Sequence, residues 1–170
     1  MKRLLPAFLG AIILSGCEGN PLATNHLPDS SFNAEVQISV GDEQIKGKLT
    51  RCSDNDWKLI IAEPFALEGM TVTVDENGTK LSLLGMEASA DFSDSAVSTV
   101  SLISEAFDAA IKNGVTELVT NGTNENGAYT LILGEDGCPA ELSIADYGIT
   151  VTLSQWEEIT DTNIDEAVIS

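Results

Sequence analysis

One histidine and three cysteines are the residues of this sequence best suited to covalent and metal chemistry: His26, Cys17, Cys52 and Cys138. A Ser–His–Asp or Cys–His arrangement would have to take its base from His26, the single histidine among 170 residues. Zinc sites usually need several cysteine or histidine ligands, and these residues are few and far apart in the sequence. The sequence therefore predicts no catalytic residues, no zinc site and no enzyme.

Three short runs, at 54–56, 75–77 and 124–126, carry the carboxylate and amide oxygens that calcium prefers. None has the ligand spacing of a calcium-binding loop with its terminal glutamate, and such residues are also common in tight turns. Acidic residues are so numerous that no single pair stands out as a glycosidase pair, and no glycine-rich phosphate loop occurs. We therefore expect no metal and no cofactor. Asn77-Gly78-Thr79 and Asn121-Gly122-Thr123 fit the glycosylation sequon, but we interpret both as Asn-Gly turns.

The first 17 residues have the pattern of an export signal. Lys2 and Arg3 precede an apolar run at 4–14, which is shorter than the roughly 20 residues that a membrane-spanning helix needs. Leu14-Ser15-Gly16-Cys17 follows and resembles the bacterial lipobox, whose cysteine receives a diacylglyceryl group. The resemblance implies a lipoprotein signal peptide at 1–16, a lipid on Cys17 and anchoring at the extracytoplasmic face of the cell membrane. The alternatives are an ordinary secretory signal with a coincidental cysteine and an uncleaved anchor.

The net charge of −19 limits the partners of the chain. Without Lys2 and Arg3, 6 of the 8 basic residues remain against 27 acidic ones. Such a surface repels phosphate backbones and anionic headgroups, so we expect no nucleic-acid binding and membrane contact through the lipid anchor alone. Solubility outside the cell explains the acidity, and a cationic protein partner is the alternative.

The rest of the chain divides into a flexible tether at 17–31, one domain at 32–156 and a loose acidic tail at 157–170. Cys52 and Cys138 form an even pair in an exported protein, where oxidising conditions permit a disulfide. Two free, partly buried thiols are the alternative. The sequence leaves both open.

Alternation of apolar and polar residues predicts about nine strands with one buried face. The clearest example is 32–40, and Asn-Gly at 77–78 indicates a hairpin. The predicted strands are 32–40, 45–50, 57–61, 70–74, 80–84, 115–120, 128–133, 140–145 and 149–153.

The period changes to about 3.6 residues between positions 94 and 113. Val100, Ile103, Phe107 and Ile111 then share one stripe of an amphipathic helix of about 18 residues, which Gly114 can end. The predicted fold is mainly β (α+β), a curved antiparallel sheet with this helix packed on its apolar face.

This order of features resembles the half-barrel lipoprotein class of the LolA-like and LppX-like carriers. The resemblance rests on the lipobox at Cys17, the strand meander from Phe32, the strand from Trp57 that ends at Pro64, and the mid-chain helix. It implies a space for lipid or another hydrophobic ligand between sheet and helix. The alternative is that the same residues pack solidly, in a structural or regulatory module that acts through its acidic surface. The expected ligand-facing residues are Val36, Ile38, Leu59, Val100, Ile103, Phe107 and Ile111.

Overall fold

The computed structural model describes residues 31–90, 96–115 and 117–159, and these form a curved, open antiparallel sheet of ten strands with one helix. The predicted leader, Cys17, the tether up to residue 30 and the tail from residue 160 lie outside the described residues. The strands are β1 (Phe32–Val40), β2 (Glu43–Ser53), β3 (Asp56–Glu63), β4 (Thr71–Asp75), β5 (Gly78–Leu83), β6 (Met86–Ala90), β7 (Val119–Asn124), β8 (Gly127–Leu133), β9 (Pro139–Ile144) and β10 (Ile149–Glu158), and the helix is α1 (Ala96–Asn113).

The strand order is β6-β5-β4-β3-β2-β1-β10-β9-β8-β7, with every neighbouring pair antiparallel. The first and last strands are therefore neighbours in the middle of the sheet, and β6 and β7 are its two edges. Helix α1 connects one edge strand to the other in the chain. It contacts β4 and β5 on one side and β7 and β9 on the other, so it spans the sheet.

The strict alternation in β1 explains its place in the core. Phe32, Ala34, Val36 and Ile38 are buried, while Glu35 between them is exposed. The same pattern continues through β2, β3, β4, β8, β9 and β10. The sheet thus has one apolar face, and burial of that face needs a covering element.

Helix α1 supplies that cover. Its buried residues recur at helical spacing and join the side chains of the sheet in one core cluster. Gly114 follows the helix with a φ of 74°, a left-handed conformation that glycine adopts without steric cost. The predicted helix and the predicted fold class are both confirmed. The helical members of the cluster are Val100, Ile103, Ala106, Phe107 and Ala110.

Three sequence predictions about the strands are wrong. The sheet has ten strands instead of the predicted nine or so, and the additional strand is the edge strand β6. Helix α1 therefore follows the sixth strand. The strand after the helix is Val119–Asn124 instead of 115–120. Asn121-Gly122-Thr123 consequently lies inside β7 and does not form a turn. A Cβ on Gly122 would lie 2.2 Å from the ring of Tyr129, so the glycine makes room for a buried aromatic side chain.

The last strand also differs from the prediction. β10 continues to Glu158, beyond the predicted end at residue 153 and two residues into the predicted tail. Gln155 interrupts its alternation with a φ of 51°, and Trp156 then stacks on Phe32 with 3.8 Å between ring centroids. This irregularity places an aromatic side chain against the core near the end of the described chain.

Candidate ligand-binding site

The seam between the sheet and α1 contains the residues that the sequence analysis expects to face a ligand. Six of them are at most 4% exposed and belong to the core cluster. Ile111 is only half-buried and lies at the margin of a separate polar groove. The six are Val36, Ile38, Leu59, Val100, Ile103 and Phe107.

A small apolar cavity lies in the seam beside the N-terminal half of α1. Its volume is about 10 Å³, and its walls include Ile45, Met70, Thr99 and Val100. An apolar cavity that binds benzene has a volume of about 150 Å³. In this conformation this cavity is therefore too small for an acyl chain.

The corner of the sheet formed by β5 and β6 is less completely covered. Leu81 and Leu83 are only half-buried, although Leu81 packs against the core cluster. Met86 is the cross-strand partner of Leu83 and is 68% exposed. The apolar surface of the sheet thus continues from the seam to a partly exposed rim at this corner.

Asp108 forms the main polar attachment of α1 to the sheet. Its carboxylate accepts hydrogen bonds from Arg51 Nε at 2.9 Å, from Trp57 Nε1 at 2.8 Å and from the Asn55 backbone N–H at 3.2 Å. Arg51 is 1% exposed, also pairs with Asp54, and its guanidinium carbon lies 5.9 Å from the centre of the Trp57 ring. A buried guanidinium needs such partners, because an unpaired charge in the protein interior is costly.

This attachment is not among the features predicted from the sequence. A signal for it was present, since Gly47, Leu49 and Arg51 share the inward face of β2. A charged residue at a position that alternation assigns to the core requires a buried partner. The sequence does not identify that partner, because Asp108 is one of many acidic residues.

A second concave region, a polar groove of about 1040 Å³, lies beside the C-terminal half of α1. Apolar surface from Ile111 and Val115 forms only part of its wall. Within the described part of the chain, no group of three or more acidic, cysteine or histidine residues is arranged to hold a metal ion. The charged residues of the groove are Asp54, Glu105, Asp108, Glu125, Arg51 and Lys112.

In this structure the exposed Cys52 and the half-buried Cys138 are free thiols. In the sheet, β1 and β10 separate β2, which contains Cys52, from β9, which begins next to Cys138. The two cysteines are therefore three strand spacings, or about 14 Å, apart. A disulfide requires Cα atoms within about 7 Å. Burial, followed by the charge of Asp56, raises the pKa of Cys52; burial, followed by Asp136, raises the pKa of Cys138. Both sulfurs are therefore weak nucleophiles at neutral pH.

No described helix is long and apolar enough to span a membrane. No protein-family model and no curated protein matches the sequence. Among solved structures, an uncharacterized conserved protein from Thermus thermophilus aligns with a TM-score of 0.47 and 10% identity, over 81% of this chain and 84% of that chain. A LolA superfamily protein from Nitrosomonas europaea has a TM-score of 0.40 and 9% identity, over 84% and 93%. A putative outer membrane lipoprotein-sorting protein domain from Vibrio parahaemolyticus has a TM-score of 0.38 and 9% identity, over 82% and 91%.

Proposed function

We propose that this chain is a non-enzymatic, lipid-anchored extracytoplasmic protein whose domain binds a lipid or another hydrophobic ligand between its sheet and α1. The observation that carries the proposal is the incomplete cover of a wide apolar sheet. One helix spans ten strands, and the apolar surface continues past it to the half-buried Leu83 and the exposed Met86. Apolar surface that extends outward from a core is a common property of sites for hydrophobic ligands.

Ligand entry at the apolar cavity requires α1 to move, because the volume of this cavity is only about 10 Å³. The two halves of the helix have different neighbours. Thr99 and Val100 in the N-terminal half border the apolar cavity, whereas Asp108 is bound by three donors of the sheet side. We expect the N-terminal half to swing away from the sheet while the region of Asp108 stays attached. The ligand then occupies the space that Val100 leaves.

The second candidate function is a protein-interaction module that acts through its acidic surface. The small volume of the apolar cavity favours this candidate, since a space of about 10 Å³ needs no ligand for its stability. In this case α1 remains closed, and a cationic partner binds the outside of the domain, for example at the groove lined by Glu105 and Glu125. The two candidates differ in whether the apolar seam opens.

Titration with a fluorescent acyl probe, cis-parinaric acid, separates the two candidates. The mature chain from residue 17 should bind about one probe per domain. Val100→Phe overfills the seam, so it should weaken probe binding at least tenfold, although it also destabilises the fold by about 1–3 kcal/mol. Ile111→Phe, at the groove margin, is the matched control and should leave the affinity within twofold. An unchanged affinity in Val100→Phe, or no binding by the folded wild-type protein, would favour the interaction module.

The membrane anchor is tested separately through Cys17. The native protein should have an intact mass that corresponds to a chain starting at residue 17 with a diacylglyceryl group. Two acyl chains suffice for stable attachment, whereas a single chain gives only marginal binding. Cys17→Ala should move the protein from the detergent phase to the aqueous phase. Retention of Cys17→Ala in the detergent phase, or an unmodified residue 17, would exclude the anchor.

A further inference from the structure

Three large apolar side chains protrude at one end of the sheet and form what we call the apical tip: Phe65, Leu84 and Met86. They are 88%, 89% and 68% exposed, respectively. Phe65 lies in the β3–β4 connection, and Leu84 and Met86 lie at the β5–β6 turn. In an antiparallel meander these two connections leave the sheet at the same end, about two strand spacings or 10 Å apart. The three side chains therefore lie at the same end of the sheet.

Leu84 occupies a backbone conformation that disfavours leucine. Leu83 and Met86 are paired, so Leu84 and Gly85 form a two-residue turn with φ angles of 51° and 79°. Two positive φ angles identify a type I′ turn, where asparagine or glycine normally precedes glycine. Leucine at this position is thus unfavourable twice, through its backbone and through its exposed apolar side chain. Neither the positive φ angle of Leu84 nor its exposed side chain improves the packing of the described domain. This points to a role in contact with another molecule.

The charges around the apical tip indicate what that molecule is. Glu68 follows Phe65 in the same connection, and Glu87 adjoins Met86; both glutamates are exposed, whereas Lys46 at this end of the sheet is paired with Glu63. Asp42, also exposed, lies in the β1–β2 turn at the same end of the sheet. Carboxylates oppose insertion into a bilayer, since membrane-binding surfaces carry lysine and arginine beside their apolar residues. They complement a protein surface in which basic residues border an apolar pocket.

We propose that the apical tip is a docking surface for a protein partner that presents an apolar pocket bordered by lysine or arginine side chains. Phe65 and Leu84 enter the pocket, and Glu68 and Glu87 meet the basic border. Large apolar side chains in a desolvated pocket commonly dominate the affinity of an interface. Met86 also forms the outer rim of the apolar surface that extends from the seam, whereas Phe65 and Leu84 lie in the connections, and docking through these two side chains does not require the helix to open.

The test uses photo-crosslinking from the full chain in cells that express it natively. The photoreactive analogue p-benzoylphenylalanine replaces Phe65, and Leu84→Asn is introduced as the test variant. The protein that carries the crosslinker at position 65 and leucine at position 84 should give one discrete protein adduct. The crosslinked peptide of the partner should lie in an apolar segment flanked by lysine or arginine. Leu84→Asn should reduce the adduct at least tenfold. Val119→Asn removes an apolar side chain that is 48% exposed on β7, and this control should change the yield less than twofold.

Thermal unfolding separates docking from folding. Asparagine suits the type I′ turn better than leucine, so Leu84→Asn should keep the midpoint of thermal unfolding or raise it by a few degrees. The combination of a stabler domain and a lost adduct is the expected result. Adducts composed of phospholipid, an adduct that Leu84→Asn leaves unchanged, or a lower midpoint in that variant would each overturn the proposal.

Discussion

Removal of the Asp108 carboxylate should destabilise the domain more than most single substitutions on the same helix. Asp108 is 16% exposed and accepts hydrogen bonds from Arg51, Trp57 and the Asn55 backbone. Asp108→Ala removes the carboxylate that Arg51 Nε contacts and the acceptor of the Trp57 N–H. Breaking a buried charge pair costs about 3–5 kcal/mol, and we expect a loss of this size.

Two further variants separate the contribution of the Asp108 charge from that of its hydrogen bond with Trp57. Asp108→Asn keeps an oxygen for Trp57 but loses the charge that Arg51 requires, so its loss should fall between those of wild type and Asp108→Ala. The double variant Arg51→Met, Asp108→Leu removes both charges and should be more stable than Asp108→Ala, because the buried guanidinium is removed together with the carboxylate that it contacts. The measurement is the free energy of unfolding from denaturant titrations with one common slope. A loss below about 1 kcal/mol in Asp108→Ala, or a double variant no stabler than the single one, would refute this account of the attachment.

Three further predictions concern other parts of the domain. A Cβ at position 47 would lie 2.2 Å from a backbone oxygen of β3, so Gly47→Ala should destabilise the fold by about 1–3 kcal/mol in denaturant titrations. An unchanged midpoint would contradict the close approach of β2 and β3 at this glycine. Ellman titration of the mature domain without reductant should detect Cys52 and Cys138 as thiols, and their raised pKa values should shift the onset of alkylation above the ordinary cysteine range; the absence of free thiols would show a disulfide. A hydrogen bond from Lys80, and then one from a backbone N–H, lowers the pKa of Asp75. The stabilising contribution of Asp75 should be complete at a pH above the ordinary range of the aspartate pKa, and it should disappear as the pH falls through the lowered pKa. In Lys80→Met, NMR titration should show that the pKa of Asp75 returns upward.

The parts of the fold that the sequence predicts are those in which local pattern and tertiary packing agree. Phe32–Val40 alternates strictly, and α1 has its apolar residues at helical spacing, so both elements are legible without knowledge of their neighbours. The two edge strands cannot be predicted from their local pattern in the same way. β6 is short and its residues 86–89 are all exposed, so burial leaves little periodic signal in its sequence. β7 contains Asn121 and Gly122, which are typical turn residues, and only the pairing with β8 and the ring of Tyr129 explain them.

The candidate site could be predicted in part for a similar reason. Apolar periodicity identifies which faces meet, and it correctly places Val36, Val100 and Phe107 in the seam between sheet and helix. Whether a seam contains a cavity depends on side-chain volumes in three dimensions, which periodicity does not describe. The partner of Arg51 also depends on tertiary structure, because Asp108 is 57 residues away in the chain. Both features became visible only with the strand register and the position of α1.

Native mass spectrometry tests most directly whether this domain binds a hydrophobic ligand. The protein is isolated from membranes in a mild detergent and sprayed intact, so that a noncovalent ligand is retained alongside any covalent lipid on Cys17. We predict a main species heavier than the modified chain by the mass of one lipid, which is released when collision energy is raised. Cys17→Ala, purified without the anchor, should carry the same ligand. A folded protein whose mass is always that of the modified chain alone would contradict the proposal.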